Sequence, residues 1–287
     1  MVNSDHYGSL MITLRSKLPI YLTTTILSKS MKRITLIFII LMSSVASYAI
    51  NPTRIYSNTP AKMQLEHEVL HIETKDGLSL NVWHLPSSGP GTPIIISQSD
   101  AGNMGDWLYL GLYLQAYGLD VWMYDYRGFG ESADFPIVQN QLFHMEFIDD
   151  LAAVCDHVYS KTGMAPVLMG ISMGTLIVNE YLRIADIPVS KVIFDGYVAD
   201  PKAWNEKLAD NGKIVTLPEG YKNRTYKQKN HDALFIVSEK DAYSTQSDIP
   251  KASKGKQVIK IFDCEHISGF FKYPVEYTET IVSFLEQ

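Results

Sequence analysis

The sequence predicts an α/β fold in which a mostly parallel, eight-stranded sheet is flanked by helices. Short apolar runs rich in Val and Ile alternate with longer amphipathic stretches, and parallel strands joined by crossover helices produce this pattern. The first two runs flank Lys75-Asp76-Gly77, a sequence typical of a hairpin turn. Between two glycines, Ser172 stands where an apolar run passes directly into a helical pattern.

Each element can be assigned from its own residues. Residues 68–72 and 78–84 form the hairpin, and the other six strands are predicted at 93–97, 119–124, 165–170, 191–194, 234–237 and 257–262. Amphipathic periodicity predicts helices at 106–117, 146–161, 175–184 and 276–285. Residues 196–231 are the least regular stretch, with a helix expected near 204–208. This insertion predicts a small cap over the sheet edge, or none.

The N-terminal 49 residues have the features of an export signal. From Met31, a short basic start precedes an apolar run at 34–42 and a small-residue end. Ser47 and Ala49 stand at positions −3 and −1 of a cleavage after Ala49, as in a secretory signal peptide. The apolar run is about half of the ~20 residues that span a bilayer, so we expect cleavage rather than a permanent anchor.

The predicted domain organisation has three parts. Residues 1–30 are either an over-extended reading frame, with Met31 as the true initiator, or a flexible leader. Residues 31–49 are the signal peptide, and residues 50–287 form one domain that is long enough for a large core. The protein is therefore expected in the periplasm or outside the cell, with no stable membrane span after cleavage.

Composition argues against several partners and cofactors. The chain has 25 Lys and Arg against 31 Asp and Glu, and its first 49 residues hold five of the basic residues but one acidic residue. A domain with this acidic excess repels a polyanion, so nucleic acid is not expected as a partner. The two cysteines, Cys155 and Cys264, form no metal motif, although export would permit a disulfide. Cys155 lies in a helical apolar pattern and is expected to be a buried small hydrophobe.

The sequence Gly170-Ile171-Ser172-Met173-Gly174 has the form G-x-S-x-G, and its place between a strand and a helix is that of a nucleophile turn. The glycines permit a strained turn that pushes the serine hydroxyl over the sheet edge, because larger side chains would crowd the adjoining backbone. The helix that begins there directs its N–H groups towards a developing oxyanion. Ser172 is therefore the candidate nucleophile, and Met173 is expected to donate its backbone N–H.

A serine hydroxyl needs a base to take its proton, and an imidazole base needs a carboxylate to hold its tautomer. Around a nucleophile turn of this kind the chain order is Ser, acid, His. Of the eight histidines, six precede Ser172, and His231 precedes the preferred acid. His266 follows the last predicted strand, with Gly269 close behind, and is the candidate base.

Several carboxylates could serve as the acid. Asp241 ends the segment L-F-I-V-S-E-K-D, a strand followed by a turn, so its side chain is expected at the carboxyl edge of the sheet. Asp195 ends the preceding strand and could serve instead. Glu239 and Asp263 are further alternatives. Asp241 is the preferred acid of the predicted triad.

With these residues the chain resembles the α/β-hydrolase superfamily of serine hydrolases, and within it monoacylglycerol lipase-like and serine aminopeptidase-like members with a small cap. A second string supports the resemblance, since Tyr124-Asp125-Tyr126-Arg127-Gly128-Phe129-Gly130-Glu131-Ser132 is similar to the D-x-R-G-x-G-x-S loop of many such proteins. The resemblance covers the chain from about residue 66 to the C-terminus. It implies that Asp125 and Arg127 tie this loop down and are structural rather than catalytic.

One segment departs from the family pattern. The family usually has His-Gly after its third strand, and the next residue donates a second backbone N–H to the oxyanion. Here Gln98-Ser99 replace His-Gly, and alignment makes Asp100 the donor, with Ala101 one residue away. A backbone N–H does not depend on the side chain, so the oxyanion hole can survive. The Asp100 carboxylate must nevertheless face elsewhere or be neutralised, because negative charge near a forming oxyanion raises the barrier.

The triad and the resemblance together predict hydrolysis of a carboxylic ester through an acyl-enzyme intermediate, with a small-molecule or lipid-like substrate. Thioesters and amides are alternatives for the same triad. Two other classes stay open: a catalytically silent fold that acts as a binding or scaffold protein, and a membrane-anchored partner protein that keeps its apolar start. No cofactor and no metal are expected.

Overall fold

The computed structural model describes residues 49–210, 212–224, 231–251 and 255–287. The predicted leader and the signal peptide, apart from Ala49, lie outside these residues. From residue 49 onward the described chain falls within one compact unit. In this part of the chain no helix has the length and apolar character needed to cross a bilayer, and no group of His, Cys, Asp and Glu is arranged to hold a metal ion.

The described strands, in chain order, are β1 (Asn51–Pro52), β2 (Glu68–Glu73), β3 (Ser79–Leu85), β4 (Pro93–Ser97), β5 (Ala101–Gly102), β6 (Asp120–Tyr124), β7 (Val167–Ile171), β8 (Lys191–Asp195), β9 (Asp232–Ser238) and β10 (Gln257–Phe262). Eight of them form one sheet in the order β10-β9-β8-β7-β4-β6-β3-β2. In it β3 pairs antiparallel with β2 and with β6, and the other pairings are parallel. The predicted mostly parallel, eight-stranded sheet is confirmed. A separate parallel pair, β1 with β5, was not predicted.

The described α-helices, in chain order, are α1 (Leu108–Ala116), α2 (Glu146–Thr162), α3 (Met173–Tyr181), α4 (Pro201–Asp210), α5 (Gly269–Lys272) and α6 (Pro274–Leu285). The helix predicted from residue 106 begins earlier, as a 3-10 turn at Met104–Trp107, because the Asn103 side chain accepts a hydrogen bond from the Gly105 N–H and caps that turn. Helix α2 ends close to its predicted end, at Gly163, whose φ of 68° suits glycine.

The central strands of the sheet are buried on both faces. Successive strand residues point to opposite faces, so Ile94 and Ile96 of β4 belong to the core beside α1 and α6, while Ile95 belongs to the core beside α2 and α3. Strands buried on both sides appear in a sequence as continuous apolar runs, which is why they could be recognised. Cys155 is fully buried, as predicted, and both cysteines are free thiols in this structure.

The irregular stretch after β8 contributes one described helix, α4, and residues 212–224, which form no further helix. Trp204 and Leu208 of α4 are buried against the core beside α2 and α3. Ser172, which directly follows β7, lines a pocket together with residues of this stretch.

Candidate active site

Ser172 lies in the tight turn between β7 and α3. Its φ of 51° and ψ of −113° form a combination that residues other than glycine rarely adopt, so the turn is strained. Its N–H donates to the carbonyl oxygen of Asp195 at 2.8 Å, which holds the turn in place. A Cβ on Gly170 would lie 2.6 Å from the Gly174 oxygen, and one on Gly174 would collide with the Ser97 carbonyl oxygen. The crowding predicted at both glycine positions is confirmed.

An imidazole lies beside the Ser172 hydroxyl. Oγ of Ser172 is 2.9 Å from Nε2 of His266, a hydrogen-bond distance. His266 is carried by the loop after β10, and its side chain is 24% exposed. Gly196 lets the ring approach, because a Cβ at residue 196 would lie 2.7 Å from Cε1 of the imidazole. In this position His266 can take the proton of the hydroxyl.

Asp241 holds the second ring nitrogen of His266. Its Oδ2 lies 2.5 Å from Nδ1 of the imidazole, and its side chain is fully buried. The other oxygen, Oδ1, accepts hydrogen bonds from the backbone N–H groups of Tyr243 at 2.8 Å and Ser244 at 3.1 Å. A carboxylate fixed in this way favours the tautomer with a proton on Nδ1, which leaves Nε2 free to accept one. The structure thus brings Ser172, His266 and Asp241 into one hydrogen-bonded chain.

The alternative acids lie away from this chain of hydrogen bonds. Asp195 is fully buried, and its Oδ2 accepts a hydrogen bond from the hydroxyl of Tyr277 at 2.8 Å. Burial raises the pKa of Asp195 to about 6, although the bond to Tyr277 lowers it. Asp263 is paired with Lys240 at the surface, and Glu239 is exposed. Asp241 is therefore the acid that contacts the imidazole.

Met173 and Asp100, the expected oxyanion donors, both line the pocket in front of Ser172. As the first residue of α3, Met173 has a backbone N–H with no acceptor inside the helix. Burial raises the pKa of the Asp100 carboxyl group, while its own backbone N–H, His266 and Lys213 lower it. His266 and Lys213 line the same pocket. The condition set for Asp100, that its carboxyl group faces elsewhere or is neutralised, stays a prediction.

The pocket is small and mostly apolar, with a volume of about 130 Å³. The rings of Trp204 and Tyr243 lie 5.7 and 6.1 Å from the His266 ring, between centroids. Sequence reasoning missed other lining residues, among them Ala49 and Lys213. Ala49 was recognised only as part of the expected cleavage signal and Lys213 belongs to no motif, so both reach the pocket only through the path of the folded chain.

Comparisons with known proteins were made on sequence and on structure. The profile of the family described as "Serine aminopeptidase, S33" matches residues 101–209. An esterase of Pyrococcus furiosus superimposes with a TM-score of 0.67 at 17% identity, covering 83% of this chain and 96% of the esterase. An esterase of Exiguobacterium antarcticum gives a TM-score of 0.54 at 18% identity, covering 77% and 100%. The chain therefore has the α/β-hydrolase fold.

The chain is also similar in sequence to proteins of a bacterium and a plant. The protein YfhR of Salmonella typhimurium is 29% identical over 258 residues, which cover 81% of this chain and 85% of YfhR. The alpha/beta hydrolase domain-containing protein WAV2 of Arabidopsis thaliana is 30% identical over 125 residues, which cover 42% of this chain and 39% of WAV2. The resemblance stated from the sequence is confirmed.

The D-x-R-G-x-G-x-S loop is held by ionic contacts of the buried Arg127 side chain. Nε of Arg127 donates to Asp150 at 2.8 Å, and Nη1 donates to Asp76 at 2.6 Å. Oδ1 of Asp125 accepts the backbone N–H of Met104 at 2.8 Å. None of these contacts involves the pocket, in agreement with a structural role.

Gln98, which stands where His is usual in the family that the chain resembles, is hydrogen-bonded inside the fold. Its side-chain Nε2 donates to Oδ1 of Asp125 at 3.1 Å, and its backbone carbonyl oxygen accepts a hydrogen bond from the hydroxyl of Tyr126 at 3.0 Å. The Gln98 side chain therefore points into the fold, where Tyr56 also donates to the Asp125 carboxyl. These bonds fix the backbone that leads into Asp100, the expected oxyanion donor.

Proposed function

We propose that this protein is a serine hydrolase that cleaves a carboxylic ester through an acyl-enzyme intermediate. The Ser172 hydroxyl attacks the ester carbonyl while His266 takes its proton and Asp241 stabilises the imidazolium. Backbone N–H groups of Met173 and Asp100 bind the tetrahedral oxyanion. His266 then gives the proton to the leaving alcohol. Water, deprotonated by His266, attacks the acyl-enzyme and releases the acid.

The hydrogen-bonded path from Ser172 through His266 to Asp241 carries this proposal. Its two contacts, 2.9 and 2.5 Å, join residues that come from three separate loops of the sheet edge. A strained turn such as that at Ser172 costs about 1–3 kcal/mol, and such strain is concentrated at functional sites. The esterases among the structural neighbours support the same reaction class.

The pocket favours a short, uncharged acyl group. An apolar cavity of roughly 150 Å³ accommodates one benzene molecule, and the pocket here measures about 130 Å³. An acyl group of about two to four carbons is of this size, whereas a longer chain has to extend beyond the pocket. We therefore expect kcat/KM to be highest for short esters.

Two measurements test the proposal. A fluorophosphonate probe should label the folded protein at Ser172, and the Ser172→Ala variant should not be labelled. A series of nitrophenyl esters from acetate to dodecanoate, compared by kcat/KM, then measures the preferred chain length. Folded wild-type protein that resists the probe would instead support a catalytically silent fold with a binding or scaffold role.

Amide hydrolysis is the second candidate, and the match to a serine aminopeptidase family over residues 101–209 favours it. The same triad can cleave an amide if His266 protonates the leaving amine. Aminoacyl nitroanilides compared with nitrophenyl esters of the same acyl group separate the two activities. A larger kcat/KM for the anilide would replace the esterase proposal with a peptidase.

Export to the periplasm or the cell exterior is part of the proposal, with cleavage after Ala49. Its support is the basic start, the short apolar run at 34–42 and the small residues Ser47 and Ala49. The N-terminal sequence of the exported protein tests it. A chain that retains the apolar run would support a membrane anchor instead.

A further inference from the structure

Ala49 and Ile50, the residues on either side of the expected cleavage, are packed against the candidate active site. Ala49 lines the pocket together with Ser172 and Asp100. Both residues are buried, with exposures of 8% and 0%. Their N–H groups donate to the carbonyl oxygen of Gln139 at 2.8 and 2.9 Å. The chain therefore enters the folded domain at the wall of the pocket.

Strand β1 joins this entry point to the expected oxyanion donor. The N–H of Asn51 donates to the carbonyl oxygen of Asp100 at 2.9 Å, and that of Thr53 donates to Gly102 at 2.8 Å. Asn51 pairs with Ala101 in the parallel β1–β5 register. The backbone nitrogen of Ile50 is therefore one residue away from that of Asn51, which donates a hydrogen bond to the backbone carbonyl oxygen of Asp100.

A negatively charged Asp100 carboxylate near the nucleophile would repel the oxyanion that forms during hydrolysis. Asp100 lines the same pocket as the nucleophile, where an oxyanion would form, and its carboxyl group interacts electrostatically with His266 and Lys213. His266 must be neutral to act as a base. Lys213 lies on the segment after α4 and is half-buried. A further positive charge close to Asp100 would offset the carboxylate and lower the barrier to oxyanion formation.

We infer that hydrolysis of the Ala49–Ile50 peptide bond during export leaves the α-ammonium group of Ile50 beside the Asp100 carboxylate, and that this pair activates the site. Water cleaves the amide in the export peptidase, so that the new carboxylate leaves with Ala49 and the new amine stays on Ile50, where it takes up a proton. Removal of Ala49 also takes a methyl group out of the pocket wall. This inference rests on the proposed function.

The burial of residues 49 and 50 agrees with cleavage before folding. A peptide bond this deep is out of reach of a peptidase in the folded protein, whereas a chain in transit across a membrane presents it. One proton of the new ammonium can keep the bond to Gln139, and the others become available to Asp100. The released N-terminus would then be a structural part of the site.

The experiment compares three forms of the protein: the full chain made without export, residues 49–287 and residues 50–287. The second is the matched control for the third, because its α-ammonium is displaced by one residue, about 3.8 Å between Cα atoms. Each form is also made with Asp100→Asn. The readout is the second-order rate of fluorophosphonate labelling between pH 7 and 10, with circular dichroism to confirm folding, and the N-terminus of the exported full chain is read by mass spectrometry.

We expect the form that begins at Ile50 to react about tenfold faster than the other two at pH 7, and the Asp100→Asn exchange to reduce this advantage to under about threefold. An α-amino group has a pKa of about 7.7–8.0 in peptides, and a carboxylate partner raises it. The advantage should therefore decline towards pH 10.

Equal rates for all three forms would overturn the inference and leave the proposed function standing. The same holds for an advantage that persists in Asp100→Asn, and for an exported protein that begins at a residue other than Ile50. Absence of labelling in every folded form would overturn the proposed function, and the inference with it.

Discussion

Nδ1 of His266 lies 2.5 Å from Oδ2 of Asp241, whereas Asp195, at the end of the neighbouring strand, binds the hydroxyl of Tyr277. Two acids thus follow adjacent parallel strands, β8 and β9, and only one of them contacts the imidazole. The other is fully buried in the core. This difference gives the two carboxylates separate roles, which mutation can distinguish.

Replacement of either partner in the Ser172–His266 hydrogen bond should remove turnover. We expect Ser172→Ala and His266→Ala each to lower kcat by roughly 10⁴-fold or more, because the nucleophile and its base act as one unit. Steady-state hydrolysis of nitrophenyl acetate measures this effect. The double variant should be no worse than either single variant, and unchanged activity in Ser172→Ala would refute the mechanism.

Asp241→Asn should reduce kcat by about 10³- to 10⁴-fold, since an amide oxygen cannot stabilise the imidazolium as a carboxylate does. Asp195→Asn is the matched control, with the same chemical change one strand away, and should retain activity within about threefold of wild type. The two variants are compared on one ester at saturating concentration. If the larger loss occurred in Asp195→Asn, residue 195 would be the acid.

The same Asp195→Asn variant should change how stability depends on pH. In the folded protein the pKa of Asp195 is raised by burial to about 6, above the ~3.9 of an unfolded chain. The folded state therefore holds the proton more tightly, so this carboxyl lowers the free energy of unfolding as the pH rises from about 4 to 6. Relative to wild type, the free energy of unfolding of the variant should therefore rise by ~1–3 kcal/mol over that interval.

Urea unfolding at pH 4, 5, 6 and 7 measures this difference. The exposed Asp149 provides the control exchange, Asp149→Asn, at a carboxyl outside the core. A difference between the Asp195 variant and wild type that is constant from pH 4 to 7 would contradict the predicted proton linkage.

Gln98 should be replaceable by a residue that keeps its hydrogen bond to Asp125. Gln98→Leu leaves that buried carboxyl with one donor fewer, which should lower the free energy of unfolding by about 1–3 kcal/mol. Gln98→His restores both a ring N–H donor and the usual family residue, and should stay closer to wild type. Thermal unfolding of the two variants gives the comparison, and equal loss in both would show that the contact to Asp125 contributes little.

Much of the fold could be predicted because strands buried on both faces leave uninterrupted apolar runs, as in Pro93–Ser97, whose predicted bounds match those of the structure. Ser172, Asp241 and His266 could be assigned for a related reason. Ser172 and Asp241 follow such runs, His266 follows a partly exposed edge strand, and the carboxyl ends of parallel strands meet at one edge of the sheet. The position of each of these three residues shortly after a predicted strand therefore supported its assignment to the site.

The β1–β5 pair could not be predicted, because two strands of two residues each have no periodicity to detect. The pocket that Asp100 lines is completed by residues distant in sequence, among them Ala49 and Lys213. Gln98 was recognised as a departure from the family pattern, but its bond to Asp125 became visible only when both strand ends were in place. Local patterns do not encode contacts of this kind.

Helix α4 and the segment after it contribute four pocket residues, Trp204, Leu208, Lys213 and Val215. The nucleophile and its partners come from the ends of other strands. Trp204 and Leu208 are buried in the core, whereas Lys213 and Val215 are only half-buried, so a library randomised at residues 213 and 215 would sample new substrate preferences at less risk to folding. In this scaffold, selectivity and chemistry are separable traits that can diverge independently in evolution.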